Sequence, residues 1–328
     1  MFASFRRPVE WRWCAVALAL AVPAVLTPAG CGGGGSGSAP GGGTTRSATT
    51  PLYLTDAPLS GATRVDVTIS KIEARAAGSA GFVDTGITYA GNLLDLKNTE
   101  VLLGQAPLPA GQYTGLRLTL AGATITTADG LTHPLEPVTG LGGGDNRPGG
   151  PSSLPSAATG KVGEALAKKH GSEVTLGADG RSATLLINAP FTVAADGTGT
   201  PLLLDFNVAH SVVATGNGRY LLKPVIPVVH KDEAGEVTGQ VTLDPAPAAG
   251  EEEPEVEVEA TPSGQSEAQN ATLAEGVRQG GKFRIPALPR GTYDVTVTAQ
   301  GYAPVTLPSI TITPGQKPDL GKIRLRKP

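Results

Sequence analysis

Apolar and polar residues alternate with a period of two through much of this chain. Between Arg64 and Ala74 the sequence reads RVDVTISKIEA. Such a period is typical of a β-strand with one buried face, because successive side chains point to opposite sides of a sheet. The residues expected to face a core are Val65, Val67, Ile69 and, after a slip in the pattern, Ile72. The pattern predicts an all-β protein.

The composition suits many short strands around thin cores. Glycine (45 residues) and proline (28) make up more than a fifth of the 328 residues, and both are typical of turns. Hydrophobic residues reach 40%, whereas aromatic residues reach only 4%. The net charge of −3, without a basic block in the body of the chain, argues against a nucleic-acid partner.

The first thirty residues have the composition of an export signal. Arg6, Arg7 and Arg12 precede an apolar run from Trp13 to Leu26. This run has the length of a signal-peptide core and is too short to span a bilayer comfortably. We therefore predict a signal peptide over residues 1–30 and an exported protein.

The segment from Thr27 to Cys31, TPAGC, resembles a bacterial lipobox, in which the cysteine is alkylated by diacylglycerol. The resemblance implies lipidation of Cys31 and attachment to a membrane through that lipid. Pro28 departs from the pattern, which usually has leucine or another aliphatic residue there. Soluble secretion with an unmodified Cys31, and an uncleaved anchor, are the alternatives. Residues 31–50, rich in glycine and serine, are predicted to form a flexible tether.

Residues 51–231 are predicted to form a first β-sandwich. Expected strands include Thr114 to Leu120, and a hairpin of Ala123–Thr127 with Leu131–Leu135 that turns at Asp129-Gly130. A Gly/Pro-rich stretch, about 140–160, is predicted to be a disordered insertion, followed by a short helix over Glu164–His170.

This first module resembles a family of bacterial lipoprotein domains known as DUF4382. The resemblance rests on stretches that follow one another in order: LTDAP from Leu54, VDVTISKIE from Val65, LLDL from Leu93, LPAGQY from Leu108, LDFN from Leu204 and GNGRYLLKPVI from Gly216. The resemblance implies an exported, often lipid-anchored, all-β domain of uncharacterised function. It implies no catalytic residues.

Residues 235–328 are predicted to form a second β-sandwich of about seven strands. The opening VTGQV from Val237, the strand GKFRI from Gly281 and the corner LPRGTY from Leu288 resemble the carboxypeptidase regulatory-like domain. That resemblance implies a prealbumin-type sandwich, classed with carbohydrate-binding-like folds, with a structural or presenting role.

The motif Leu-Pro-x-Gly-x-Tyr occurs twice, at 108–113 and 288–293. Proline fixes the backbone at the start of a turn, and glycine permits a torsion that other residues avoid. We expect each tyrosine to pack its ring and to donate its hydroxyl to a backbone carbonyl.

Residues able to perform chemistry are scattered. Four histidines, His133, His170, His210 and His230, have no metal-ligand spacing and are expected at the surface or at strand ends. Four carboxylates near strand ends, Asp56, Asp66, Glu73 and Asp95, offer calcium ligands, but solvated faces and turn hydrogen bonds are the favoured reading. Both cysteines, Cys14 and Cys31, precede the two modules, and no nucleophile elbow or phosphate loop occurs. We expect no catalytic residue, metal or cofactor.

The favoured function is that of an exported, lipid-anchored protein of the cell envelope, at the outer membrane or cell surface, with a structural or adhesive role. Its partners would be the membrane and a polysaccharide or envelope protein. The alternatives are a carbohydrate-binding module in the second domain and, less favoured, a hydrolase. Tyr293 and Tyr302 are the candidate sugar contacts, although core packing is favoured for both. The two tryptophans, Trp11 and Trp13, lie in the export segment, so the second domain has no tryptophan on which a sugar could stack.

Overall fold

The computed structural model describes residues 47–57, 59, 61–97, 99–138, 169, 173–215, 218–251 and 253–328. The predicted signal peptide, Cys31, the tether up to residue 46 and the insertion at 140–160 lie outside the described residues. So does the predicted helix at 164–170, except for Lys169. Strands dominate the described residues, which confirms the all-β prediction.

The described residues of the first module form two sheets. Its strands are β1 (Ser47–Thr55), β2 (Ala62–Ala76), β3 (Phe82–Asp84), β4 (Tyr89–Asn92), β5 (Glu100–Pro109), β6 (Gly111–Thr127), β7 (Thr132–Pro137), β8 (Glu173–Leu176), β9 (Ala183–Val193), β10 (Leu202–Asp205), β11 (Val212–Thr215), β12 (Arg219–Leu222) and β13 (Val228–His230). One sheet has the order β13-β10-β1-β5. The other contains nine strands, with β11-β12-β7-β6-β2-β3 as its main path. A 3₁₀ turn (Leu93–Leu96) and a single α-helical turn (Val208–Ser211) connect them.

The alternating segments form the core between these sheets. Val65, Val67, Ile69 and Ile72 are all buried, and so are Leu116, Leu118 and Leu120 on β6. The slip before Ile72 is real, since the pairing of β2 with β6 shifts register on either side of Ile69. The predicted turn at Asp129-Gly130 joins β6 to β7, where Thr126 pairs with Thr132.

Two boundaries differ from the sequence prediction. β1 begins at Ser47, so residues 47–50 belong to a strand and not to the tether; Ala48 and Thr50 are buried where β1 pairs with β5. The two strands predicted within 114–127 are one long strand, β6, because it pairs with β2 along almost its whole length.

The second module contains seven strands within its described residues. They are β14 (Ala234–Asp244), β15 (Val256–Pro262), β16 (Asn270–Leu273), β17 (Gly281–Pro289), β18 (Gly291–Ala299), β19 (Val305–Ile312) and β20 (Asp319–Arg326). They form two sheets, in the orders β17-β14-β20 and β16-β15-β18-β19. A 3₁₀ turn (Val277–Gln279) precedes β17. The two sheets enclose an aliphatic core, as predicted for a sandwich.

Two of these strands lack a regular alternating pattern. All four residues of β16 are buried. β19 is irregular at Pro308-Ser309, where Ser309 adopts a φ of 60°. The chain continues as one strand across that irregularity.

The two modules follow each other without a linker. β13 ends at His230, a 3₁₀ turn spans Lys231–Glu233, and β14 begins at Ala234. Small apolar clusters cross the boundary, for example Val225 with Ala268 and Ala271. All the described residues therefore belong to one compact unit.

Candidate functional site

The repeated tyrosine corner has the predicted geometry in both modules. Tyr113 donates its hydroxyl to the carbonyl of Pro109, and Tyr293 donates to Pro289, each over 2.8 Å. Both residues are 3% exposed, so the ring of Tyr293 offers no free face on which a sugar can stack. Burial raises the pKa of Tyr293 to about 12.

The two corners differ at their glycines. Gly111 has a φ of 154°, a torsion that favours glycine, as predicted. Gly291 does not adopt a positive φ, and a Cβ there would lie 3.4 Å from the ring of Tyr293, an ordinary contact. The torsional reason for glycine therefore applies to the first corner and is wrong for the second.

Tyr302 is half-buried. Its hydroxyl donates to the carbonyl of Pro245 over 2.7 Å, and the Nζ of Lys327 lies 5.6 Å from the centre of its ring. Cys31, the predicted site of lipidation, lies outside the described residues. The structure thus leaves both Cys31 and Tyr302 as predictions.

The three histidines among the described residues, His133, His210 and His230, do not cluster. His133 lies on β7, with its ring 4.9 Å from that of Tyr220, and His230 ends β13. His170 lies outside the described residues. His210 is only 1% exposed, so the expectation of a surface or strand-end position is wrong for it.

Three of the four candidate calcium ligands each bind a different protein side chain. Asp66 binds Arg64, Glu73 binds Arg117 and Lys71, and Asp95 accepts a hydrogen bond from the amide of Asn92. In the described part of the chain, no group of three or more His, Cys, Asp or Glu side chains is arranged to hold a metal ion. The fourth candidate, Asp56, lies elsewhere, at the boundary of the two modules.

Asp56 and Asp205 form a buried carboxyl pair. The parallel pairing of β1 with β10 sets Thr55 opposite Asp205, and Asp56 follows directly. Both aspartates are 0% exposed. Asp56 accepts the backbone N–H of Val208 over 3.1 Å, but the Oδ2 of Asp56 and the Oδ1 of Asp205 have no hydrogen-bond partner among the described residues.

Burial dominates the electrostatics of this pair. It raises the pKa of Asp56 well above its usual value, and the negative charge of Asp205 raises it further. Burial raises the pKa of Asp205 to about 6, although its hydrogen bond from Asn270 and the charge of Arg284 oppose the rise. The pair therefore binds protons far more tightly than exposed aspartates do.

Asn270 of the second module completes the hydrogen bonds of Asp205. Its Nδ2 donates to the Oδ2 of Asp205 and to the carbonyl of Pro286, each over 2.9 Å. Its Oδ1 accepts from the Nδ2 of Asn207 over 3.1 Å. Every polar atom of this fully buried amide is used, so Asn270 serves the contact between the modules.

His210 forms a second polar bridge between the modules. Its Nδ1 lies 3.1 Å from the Oδ1 of Asn207, and its Nε2 lies 3.1 Å from the Oε1 of Glu257 on β15. Asn207 also caps the helical turn over Val208–Ser211, because its side chain accepts the backbone N–H of His210. The cap and the bridge together fix the orientation of the imidazole.

Arg284 on β17 forms the third bridge. Its guanidinium binds Glu236 through Nε at 2.8 Å and Nη2 at 2.6 Å, and its Nη1 donates to the hydroxyl of Thr55 over 3.1 Å. Thr55 in turn donates to the carbonyl of Thr99 over 2.7 Å. Lys317 binds the other oxygen of Glu236 at 3.0 Å. The positive charge of the buried Arg284 is therefore neutralised by Glu236 of its own module, while its Nη1 contacts Thr55 on β1 of the first module.

A backbone irregularity lies beside this junction in the second module. The pairing of β14 with β17 shifts register between Gly235 and Val237, and Ala287 on β17 adopts a φ of 54°. A positive φ is uncommon for alanine and costs free energy, so surrounding contacts must hold it. The bulge turns the carbonyl of Pro286 toward Asn270.

We call these three bridges the polar junction: Thr55, Asp56, Asp205, Asn207, His210, Glu236, Glu257, Asn270 and Arg284. Buried polar groups that are hydrogen-bonded favour one arrangement over slipped alternatives, because each slip leaves groups unpaired. The stretch LDFN from Leu204 carries the family resemblance, but its local pattern indicates no role for Asp205 or Asn207. A polar residue inside a fully buried run, such as Asn270, was the signal available.

The fold and the junction define a class: a tandem of two all-β modules fixed to each other. A family model described as a domain of unknown function, DUF4382, matches residues 47–224, more than half of the chain. The chain belongs to the DUF4382 family. A second model, the carboxypeptidase regulatory-like domain, matches residues 236–326. Both resemblances read from the sequence are confirmed.

Solved structures give only distant likenesses. A cohesin–X-dockerin complex from Acetivibrio cellulolyticus is 19% identical, with a TM-score of 0.22, over 28% of this chain and 57% of that one. The TIE protein of Bacillus anthracis is 11% identical, with a TM-score of 0.20, over 85% of this chain and 34% of that one. The minor pilin of Streptococcus agalactiae is 11% identical, with a TM-score of 0.19, over 85% and 96%.

The chain thus spans just over half of the first of these proteins and a third of the second. No curated protein matches the chain. Among the described residues, no helix has the length and apolar character needed to cross a membrane.

Proposed function

We propose that this protein is a non-catalytic structural element of the cell envelope, exported and held on a membrane by a lipid on Cys31. Residues 1–30 would be removed as a signal peptide, and the residues up to β1 would form the tether. The two modules would then act as one rigid body that displays an adhesive or interacting surface away from the bilayer, at the outer membrane or cell surface.

The polar junction is the observation that supports this role. Two modules that bind independently of each other are typically joined by a long flexible linker. In this chain, only the three residues Lys231–Glu233 separate the two sandwiches. The buried contacts of Arg284 and Asn270 with the first module resist rotation about that turn. Such stiffness suits a structural role, because the second module then keeps a fixed orientation relative to the first module, which is next to the proposed tether.

Metabolic labelling with a clickable fatty acid tests the anchor. The wild-type chain should incorporate the label and partition with membranes, whereas Cys31→Ser should do neither. Cys14→Ser is the matched control, because Cys14 lies inside the predicted signal peptide and should not change labelling. Equal labelling of wild type and Cys31→Ser would refute lipid attachment and leave soluble secretion.

Distance measurement between spin labels tests rigidity. Ser79 in the first module and Ser266 in the second are exposed and suit labelling, in a chain whose two native cysteines are replaced by serine. One narrow distance distribution is expected, and Asn270→Ala should broaden it. A broad distribution in the parent chain would contradict the proposal that the modules act as one body.

A further inference from the structure

A groove crosses the outer face of the second module where the first module borders it. Its volume is about 750 Å³. The floor is the three-stranded sheet β17-β14-β20, including Gln240 at its centre, and Lys97 of the first module forms part of the wall. This groove is separate from the corner of Tyr293 and from the hydroxyl of Tyr302.

A row of three side chains runs across this floor. Gln240 on β14 pairs with Lys282 on β17 and with Lys322 on β20. Adjacent strands lie about 4.8 Å apart, so the backbones of the two lysines are roughly 10 Å apart on either side of Gln240. The amide of Gln240 is held in place, because its Nε2 donates to the carbonyl of Gly280 over 2.9 Å.

The positive charge in the groove is only partly compensated. Lys97 forms an ion pair with Glu275. Lys282 and Lys322 are both exposed, and neither takes part in an ion pair found among the described residues. The carboxylates of Glu275 and Asp319 also line the groove, so they offset part of the charge of its lysines. Burial lowers the pKa of Lys97, and the nearby charge of Lys282 lowers it further, which is the response expected of neighbouring cations.

The shape leaves room along the row. Gly321 lies on the rim with a φ of 67°, and a Cβ there would meet no atom within 4 Å. The lining residues contribute amide, hydroxyl and backbone groups next to the two ammonium groups, including Thr238 beside Gln240. Such a lining suits a polar, hydroxyl-rich ligand with spaced negative charges.

We propose that this groove binds an acidic polysaccharide, with Lys282 and Lys322 contacting carboxylates on one sugar chain and Gln240 contacting the hydroxyls between them. A single small anion would be held by converging donors, whereas these two ammonium groups flank Gln240 on opposite sides. A nucleic acid would need a wider basic surface than a chain of net charge −3 offers. The inference does not depend on lipidation of Cys31.

Calorimetric titration of the full chain carrying Cys31→Ser tests this site, with polygalacturonate as the acidic probe and dextran as the neutral one. The parent should bind polygalacturonate at about 0.15 M salt, where weak non-specific attraction is screened, and should not bind dextran. Lys282→Gln with Lys322→Gln should weaken binding by about tenfold or more. Both lysines are exposed, so thermal unfolding should be unchanged.

The matched control removes two positive charges elsewhere. Arg181→Gln with Arg290→Gln gives the same change in net charge on exposed residues outside the groove, and it should leave binding unchanged. Three results would overturn the proposal: no binding to polygalacturonate, an equal loss in the control, or equal binding of phosphatidylglycerol vesicles. Failure of the fatty-acid labelling would instead refute only the anchor.

Discussion

Asn270 of the second module donates a hydrogen bond to the carboxylate of Asp205 in the first over 2.9 Å, and both side chains are completely buried. The amide oxygen of Asn270 accepts another bond from Asn207. Two sandwiches with separate aliphatic cores are therefore joined through polar groups that depend on one another. The stability of the whole chain should respond to single changes at this boundary.

Asn270→Ala should lower the free energy of unfolding by about 2 kcal/mol or more, because it removes the buried donor to the Oδ2 of Asp205 and one of the two acceptors of the Nδ2 of Asn207, which keeps its bond to the carbonyl of Ala271. Urea titration measures the loss. Gln265→Ala, on an exposed position of the same module, is the control and should have little effect. Equal effects of the two substitutions would contradict the structural role of Asn270.

Arg284→Met should destabilise the chain by about 3 kcal/mol, since it removes the guanidinium whose Nε and Nη2 both contact the Oε2 of the buried Glu236. The double substitution Arg284→Met with Glu236→Met should cost less than the sum of the two single ones, because it leaves neither charge unpaired. A double-mutant cycle by chemical denaturation measures this coupling. Strict additivity would mean that the pair does not interact in solution.

Tyr113→Phe and Tyr293→Phe should each cost about 1 kcal/mol, because each removes one hydrogen bond to a proline carbonyl and keeps the packed ring. The two losses should be similar, since the bond lengths and burial are the same in both corners. Tyr302→Phe is the comparison, and its more exposed hydroxyl bond should matter less. Thermal unfolding of the three variants distinguishes these outcomes.

The free energy of unfolding of the chain should fall as the pH rises from about 4 to about 7, because of the buried aspartates of the polar junction. The pKa of Asp205 is raised from 3.8 to about 6 in the folded chain, so the folded state binds this proton more tightly than the unfolded state does. The stabilisation from this bound proton is complete below 3.8, the pKa of Asp205 in the unfolded chain. It is lost as the pH rises through about 6, the pKa in the folded chain. The full change is about 3 kcal/mol. Asp56, whose pKa is also raised, acts in the same direction.

Asp205→Asn isolates this effect, because the amide imitates the protonated carboxyl and does not titrate. Unfolding free energies of the variant and the wild type should converge near pH 4 and separate toward pH 7. The charge of Arg284 acts on Asp205 in the wild type, and Arg284 remains in the variant. Parallel profiles across this range would mean that the proton is not held at Asp205.

The sequence predicted what depends on local pattern. The burial of Val65, Val67 and Ile69 followed from alternation alone, and the hydroxyl bonds of Tyr113 and Tyr293 followed from one repeated motif. The alternating burial and the tyrosine hydrogen bonds each depend on residues within a segment shorter than twenty residues. The residues that determine them can therefore be read directly from the local sequence.

The polar junction could not be predicted in this way. Asp56 and Asp205 become neighbours only because β1 pairs in parallel with a strand far along the chain. His210 has no local feature that distinguishes a buried bridge from a surface residue, since its partner Glu257 comes from the other module. The groove needed three strands and their register before Lys282, Gln240 and Lys322 formed a row.

The parallel pairing of β1 with β10 also determines the order in which the chain can fold. Leu52 finds its partner, Leu202, only after about 150 further residues have been made. During synthesis from the N-terminus, the edge of β1 that pairs with β10 therefore stays unpaired while nearly half of the 328 residues are made, and such edges are prone to aggregation. Pairing with β10 can close this edge of β1 only once Asp205 has been made.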